Sequence, residues 1–67
     1  MAKKTQYSVS LVYQKNLGNG TIDNALRVQI VEARNEAEAL GAVVLALEEE
    51  FTNWVLLLKV VIGINDN

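Results

Sequence analysis

Residues Trp54 to Ile64 read WVLLLKVVIGI, and this stretch decides the fold. A short apolar run rich in Val, Leu and Ile, with the single charge of Lys59, is typical of a buried β-strand. Alternation along a strand gives two rows, and both are apolar: Trp54, Leu56, Leu58, Val60, Ile62 and Ile64 on one, Val55, Leu57, Lys59, Val61 and Gly63 on the other. Such a strand needs cover on both faces, whereas one helix covers only one face. The stretch therefore predicts a homo-oligomer.

The size and residue usage of the chain point in the same direction. Its 67 residues are enough for a single domain, and a domain this small is marginal without disulfides, a metal or self-association. The chain has no cysteine and no histidine, which excludes disulfides, zinc fingers, iron–sulfur clusters and imidazole metal sites. We predict no metal and no cofactor. A hydrophobic fraction of 51% favours oligomerisation instead.

Charge and hydropathy limit the classes of partner. The formal net charge is −2, with six Lys and Arg against eight Asp and Glu, so a nucleic-acid partner is not expected. The apolar run is too short, and too interrupted by Lys59, to span a bilayer. Residues after Met1 are polar and do not resemble a secretory signal. These features predict a cytoplasmic protein with no membrane partner.

Two strands are predicted before the helix. Residues 1–5 are expected to be loose. From Gln6, strict alternation places Tyr7, Val9, Leu11 and Tyr13 on one row, and Gly18-Asn19-Gly20 predicts a turn. The second strand runs from near Asp23 to about Ala33. We assign its row Leu26, Val28 and Ile30 to the core and its row Ala25, Arg27, Gln29 and Val31 to the outside.

A helix is predicted from Glu36 to about Phe51. Asn35 is the expected N-cap, and Glu38 stands three positions later as in a capping box. The inward face is predicted to comprise Ala37, Leu40, Val44, Leu47 and Phe51, widened by Val43. The opposite face carries Ala39, Ala42, Leu45 and Ala46. A helix that is apolar nearly all round is normally buried on more than one side, so a second chain is expected there.

The predicted order is therefore strand, strand, helix, strand, an α+β domain over residues 1–67 with a tail at 65–67. A right-handed crossover gives a three-stranded antiparallel sheet of order 2-1-3 packed on one helix. Self-association would occur either by pairing of the third strand with its copy or by packing of the open sheet faces. The candidate interface residues are Val55, Leu57, Val61, Ala42, Leu45 and Ala46.

No catalytic constellation is present in the sequence. Ser8 and Ser10 share a strand face, but the chain has no histidine to activate them. Asp23 and Glu32 are nine residues apart on one strand, about 30 Å if extended, which is too far for paired acid–base chemistry. We predict that the protein is not an enzyme.

Binding chemistry remains open. Arg27 and Lys59 both interrupt rows of small or apolar residues, and a symmetric interface would repeat them into a cation cluster suited to a small anion or nucleotide. The alternative is that each cation reaches solvent at a sheet edge. Trp54 is either a stacking platform or part of the core. The candidate ligand-binding residues are Arg27, Lys59, Tyr7, Tyr13, Gln29 and Trp54.

The segment Ile30 to Leu40, IVEARNEAEAL, resembles the strand-to-helix junction of many small bacterial and phage proteins. The compact, non-catalytic design is similar to phage-encoded accessory proteins that inhibit a host factor or sequester a signalling nucleotide. That resemblance implies an inhibitor or sequestering function. The alternative is a structural or adaptor module that binds a larger protein through its apolar edge strand or its helix face.

Overall fold

The computed structural model describes residues 4 to 64 and confirms the predicted α+β architecture. The sheet is antiparallel with the order β2-β1-β3, and β1 is the central strand. The element bounds are β1 Thr5–Gly18, β2 Thr21–Ala33, α1 Glu36–Ala46 and β3 Val55–Ile64. The expected tail at 65–67 and residues 1–3 of the expected loose segment lie outside the described residues. Thr5 already pairs with Ala33, so the strand begins within that segment.

The core lies between α1 and one face of the sheet. Val9 and Leu11, which share the predicted row of the central strand, are fully buried. Ala39 and Val43, four positions apart, face them from α1. The buried residues are Val9, Leu11, Tyr13, Ala33, Ala39, Val43, Leu47 and Phe51. Two helix assignments were wrong: Ala39 lies on the sheet side, where its small side chain allows close approach, and Ala37 is exposed.

The hairpin register reverses the predicted faces of β2. Gly18 pairs with Thr21, but the next pair is Asn16 with Ile22, so β1 carries one extra residue. Shifting a strand by one residue moves every side chain to the other face. Leu26, Val28 and Ile30 are consequently exposed, and Ala25, Arg27, Gln29 and Val31 lie on the helix side. Our assignment of the two rows was therefore wrong.

A second irregularity divides the long apolar row of β3. Val12 pairs with Leu58, whereas the next residue, Tyr13, pairs with Leu56. The register shift places Leu56 on the helix side, packed against the core, while Leu58, Val60 and Ile62 remain on the other face. The prediction that Trp54 and Leu56 share a face with Leu58 was wrong for this reason.

The helix is shorter than predicted and ends at Ala46 instead of Phe51. No basic residue lies in its last turn, and three glutamates follow at positions 48–50, where the helix dipole disfavours acids. The chain continues in turns, and the Phe51 amide donates to the Leu47 carbonyl at 3.1 Å. The predicted N-cap is confirmed, because the Glu38 amide donates to Asn35 Oδ1 at 2.8 Å.

The molecule is elongated and thin. Its principal extents are 52 × 20 × 13 Å and its radius of gyration is 14.0 Å. A compact chain of this length would have a radius of gyration of about 11 Å. One helix therefore covers only part of one side of a long sheet. Within residues 4–64, no helix is long and apolar enough to cross a membrane.

Candidate functional site

The sheet surface that faces away from α1 forms a continuous patch, here named the open face. Three cross-strand rows of β2, β1 and β3 residues build its centre, and the two outer residues of each row are of the same type. The rows are Ile30–Ser8–Ile62, Val28–Ser10–Val60 and Leu26–Val12–Leu58. The outer strands thus carry two parallel ridges of branched apolar side chains, and the smaller residues of the central strand form a valley between them.

These ridges are well exposed. Leu26, Val28 and Ile30 are 60%, 55% and 62% accessible, and Leu58 and Ile62 are 56% and 57% accessible. Soluble monomers rarely expose contiguous apolar patches of more than a few hundred Å². The nearest charge on this face is Glu32, opposite Gln6 in the row beyond Ser8. The centre of the open face is therefore uncharged, with apolar ridges on either side of two serines and a valine.

A second cluster lies on the helix side, beyond the end of α1. The Tyr13 and Phe51 rings stack with centroids 4.0 Å apart, and Trp54 meets Phe51 edge-on at 5.2 Å. Two cations border these rings: Arg27 lies 5.1 Å from the Phe51 centroid, and Lys15 Nζ lies 5.9 Å from the Trp54 ring. Tyr13 is buried and Trp54 half-buried, so both serve the core of the domain.

The guanidinium of Arg27 is paired with the carboxylate of Glu50 beside this aromatic cluster. Its Nη2 atom lies 2.7 Å from Glu50 Oε2, and its Nη1 atom donates to the Leu26 carbonyl at 3.0 Å. Glu50 also acts on Tyr13: burial, with a smaller contribution from the Glu50 charge, raises the pKa of the Tyr13 hydroxyl above its usual value. The guanidinium predicted to bind a ligand is therefore already paired within its own chain.

The other candidate ligand residues do not converge within the chain. Arg27 and Lys59 are both aligned with Leu11, on opposite sides of the central strand. Two strand spacings put their backbones about 10 Å apart, and α1 covers the space near Leu11. Gln29 is half-buried opposite Val9. Tyr7 is half-buried at the far end, where its ring borders Gly63.

The predicted interface residues fall on different surfaces. Leu45 is 70% accessible on the outer side of α1, where Ala42 and Ala46 are also exposed. Val55 and Leu57 are exposed at the start of β3. Val61 is half-buried against the core on the helix side, so it does not lie on a free face.

One open depression of about 240 Å³ adjoins the aromatic cluster. Its lining is Tyr13, Val44, Leu47, Glu48, Phe51 and Thr52. Thr52 Oγ1 donates to the Glu48 and Glu49 carbonyls at 3.0 Å, so this hydroxyl is engaged with the backbone. Among residues 4–64, no group of three acidic, histidine or cysteine side chains could hold a metal ion.

Sequence reasoning assigned the wrong β2 residues to the outer face of the sheet and missed the partner of Arg27. The ridge on β2 was assigned to the core because Leu26, Val28 and Ile30 are its most apolar row. A contrary signal was available in Asn16, whose side chain accepts from the Gly18 amide at 2.9 Å and holds the irregular turn. No local pattern indicates that Glu50, 23 residues away, pairs with Arg27.

The chain matches no protein-family model, no curated protein and no solved structure.

Proposed function

We propose that this chain is a small, non-catalytic binding protein that acts as a homo-oligomer in the cytoplasm. The observation that carries the proposal is the open face, whose two ridges expose branched apolar side chains on both sides of the central strand. Fully burying one Val, Leu or Ile side chain stabilises a protein by about 1.5–3 kcal/mol. Six half-exposed side chains of these types therefore provide a substantial driving force for association.

The side-chain chemistry supports binding and not catalysis. The open depression contains the Glu48 carboxylate and the Thr52 hydroxyl, without a second acid or a base to pair with either of them. Tyr13 is buried in a ring stack, and burial raises the pKa of its hydroxyl above the usual value. A nucleophile with an adjacent base is the arrangement that acyl or phosphoryl transfer requires.

We propose further that oligomerisation creates a site for a small anion, such as a nucleotide, at Lys59. This residue is exposed near the middle of β3, an edge strand, and it has no ion-pair partner among residues 4–64. If two copies of β3 pair in an antiparallel manner, opposite residues must share a face. In a register centred on Lys59, this residue would face its own counterpart, and close like charges favour a bridging anion.

An inhibitor or sequestering protein of the phage-encoded kind would need such a site. The test is a melting scan of the purified protein with a panel of nucleotides and with inorganic phosphate. We expect one nucleotide to raise the Tm, Lys59→Ala to abolish the rise, and Lys15→Ala, a matched lysine beside Trp54, to retain it. An unchanged Tm with every anion would contradict the anion site.

A second candidate function is favoured by the exposure of Leu45 on the outer side of α1. An adaptor would bind a larger protein through this helix face or through the edge of β3. The adaptor hypothesis predicts a monomer that is stabilised only by its protein partner, whereas the first proposal predicts self-association of the protein alone.

A further inference from the structure

We infer that the open face is the primary self-association surface, and that a second copy of this chain packs its own open face against it. The inference rests on the proposed homo-oligomer and names a contact distinct from the β3 edge pairing that would create the Lys59 site. We assign a second copy to this surface for three reasons: the open face is complementary to itself in shape, its centre carries no charge, and its size approaches that of a small interface.

The shape of the open face comes from the three cross-strand rows. Each row has an outer pair of identical residue type, Ile with Ile, Val with Val and Leu with Leu, on either side of Ser8, Ser10 or Val12. The central residues are smaller than their neighbours in the two serine rows. If the second copy is displaced sideways by one strand spacing, about 4.8 Å, one of its two ridges lies over the serine valley and the other lies beyond the edge of the first sheet. The two-fold relation then places the first copy's ridge in the second copy's valley.

The charge distribution permits this contact. The chain has a formal charge of −2, so two copies would repel each other through an acidic surface. The nine residues of the three central rows include no charged side chain. The carboxylate of Glu32 lies one row beyond Ser8, toward the start of β1, and can remain in solvent at the rim. Charged residues are generally depleted in the centre of interfaces and tolerated at their rims.

The area is at the lower end of the range for a specific interface. The face from Gln6 to Gln14 measures roughly 450 Å² when flat, and a copy displaced by one strand covers roughly two-thirds of it. Projecting Leu, Val and Ile side chains increase the accessible area above this value. Specific interfaces begin at about 600 Å² per partner. Facing sheets pack about 10 Å apart, so a second copy would convert the two-layer domain into a four-layer assembly with its helices outside.

Two face variants and a helix variant test the inference. The double variant Leu26→Lys/Leu58→Lys puts a cation on each ridge, one of which the displaced packing buries, and Ser10→Lys puts a cation on the valley floor. Leu45→Lys is the matched control, since Leu45 is at least as exposed as Leu26 but lies on the outer side of α1. Burying an unpaired charge should weaken dimerisation on the order of 100-fold or more. Trp54, on the opposite side of the sheet, reports through its fluorescence whether the helix-side core is intact.

The masses of the wild type and variants, measured by light scattering, separate the outcomes. The inference predicts an oligomeric wild type, oligomeric Leu45→Lys, and dissociated Leu26→Lys/Leu58→Lys and Ser10→Lys. An oligomeric wild type whose mass is unchanged by both face variants would overturn the inference while leaving the proposed oligomer in place. A monomeric wild type would overturn both.

A thiol probe covers the case in which a lysine variant does not fold. The chain has no cysteine, so Ser10→Cys and Leu45→Cys each introduce a single thiol. We expect the Ser10→Cys thiol to react with a bulky aromatic disulfide reagent much more slowly than the Leu45→Cys thiol, and to gain reactivity when the protein is diluted. A Ser10→Cys reaction rate that does not change with protein concentration would contradict face-to-face packing.

Discussion

Tyr13 and Phe51 stack with their ring planes within 1° of parallel and their centroids 4.0 Å apart. Tyr13 belongs to the central strand, and Phe51 lies in the turns beyond α1. The stack therefore joins the segment after the helix to the middle of the sheet. It also positions Trp54, whose ring meets Phe51 edge-on.

Replacing Phe51 should have a large effect on stability. We expect Phe51→Ala to lower the free energy of unfolding by about 3–5 kcal/mol, because it leaves a cavity beside Tyr13 and removes an aromatic stack. Phe51→Leu should cost less, since it retains most of the apolar volume. Chemical denaturation at one fixed protein concentration measures both values. Equal effects of the two substitutions would show that cavity formation is not the main cost.

The pKa of Tyr13 should be measurably high. In Tyr7→Phe, Tyr13 is the only tyrosine, so ultraviolet titration of the phenolate reports on this residue alone. We expect its pKa to lie above the usual value of about 10, mainly because the hydroxyl is buried. Adding Glu50→Gln should lower this pKa, since the carboxylate disfavours the phenolate. An unchanged titration curve in the double variant would contradict the contribution of Glu50.

The raised pKa of Tyr13 also affects the stability of the protein at high pH. A folded-state pKa above the unfolded value means that the unfolded chain loses its proton first as the pH rises. The stabilisation from neutral Tyr13 is therefore complete below about pH 10 and decreases as the pH rises through the folded-state pKa. Tyr13→Phe should flatten this part of the stability profile, as measured by denaturation from pH 8 upwards.

The Arg27–Glu50 ion pair should contribute little by itself. The two side chains are 42% and 50% exposed, and exposed pairs typically contribute between zero and about 1 kcal/mol. We expect Glu50→Gln to change the free energy of unfolding by less than about 1 kcal/mol. Arg27→Ala should cost more than Glu50→Gln, because it also removes the packing of the guanidinium over Phe51. The opposite ranking would contradict a packing role for Arg27.

Two glycines should respond differently to alanine. Gly63 has no positive φ, and an added Cβ would lie 3.6 Å from Tyr7 Cε1, an ordinary contact. Gly63→Ala should therefore be neutral or stabilise by about 0.5–1 kcal/mol. Gly20 has a φ of 76°, so Gly20→Ala should destabilise by about 1–2 kcal/mol. The two melting curves give the comparison, and a stabilising Gly20→Ala would contradict the strained turn.

Much of the fold follows from local sequence patterns, while the faces of the sheet do not. Alternation from Tyr7 to Tyr13 indicates the central strand, and Asn35 with Glu38 indicates the start of the helix. Whether Leu26 points toward the core depends on one extra residue near Asn16, since a shift of one residue reverses the whole strand. The most apolar row of β2 is consequently exposed. High hydrophobicity indicates that a side chain is buried. It does not indicate whether the same chain or a second copy buries it.

The candidate site could be predicted only in part for a related reason. Both rows of the third strand are apolar, and a single helix cannot cover both faces of the strand. For this reason the sequence predicts a homo-oligomer. The self-complementary ridges require knowledge of which residues stand beside Ser8 and Ser10 across the sheet. That register is fixed by two irregularities and by contacts between distant parts of the chain.

The mass of the purified wild-type protein in solution tests the central claim most directly. Light scattering over a range of concentrations, from dilute to concentrated, gives this mass without any substitution or ligand. The account predicts a defined species of at least twice the 7.4 kDa chain mass that dissociates on dilution. A folded species that remains at 7.4 kDa at every concentration would contradict it.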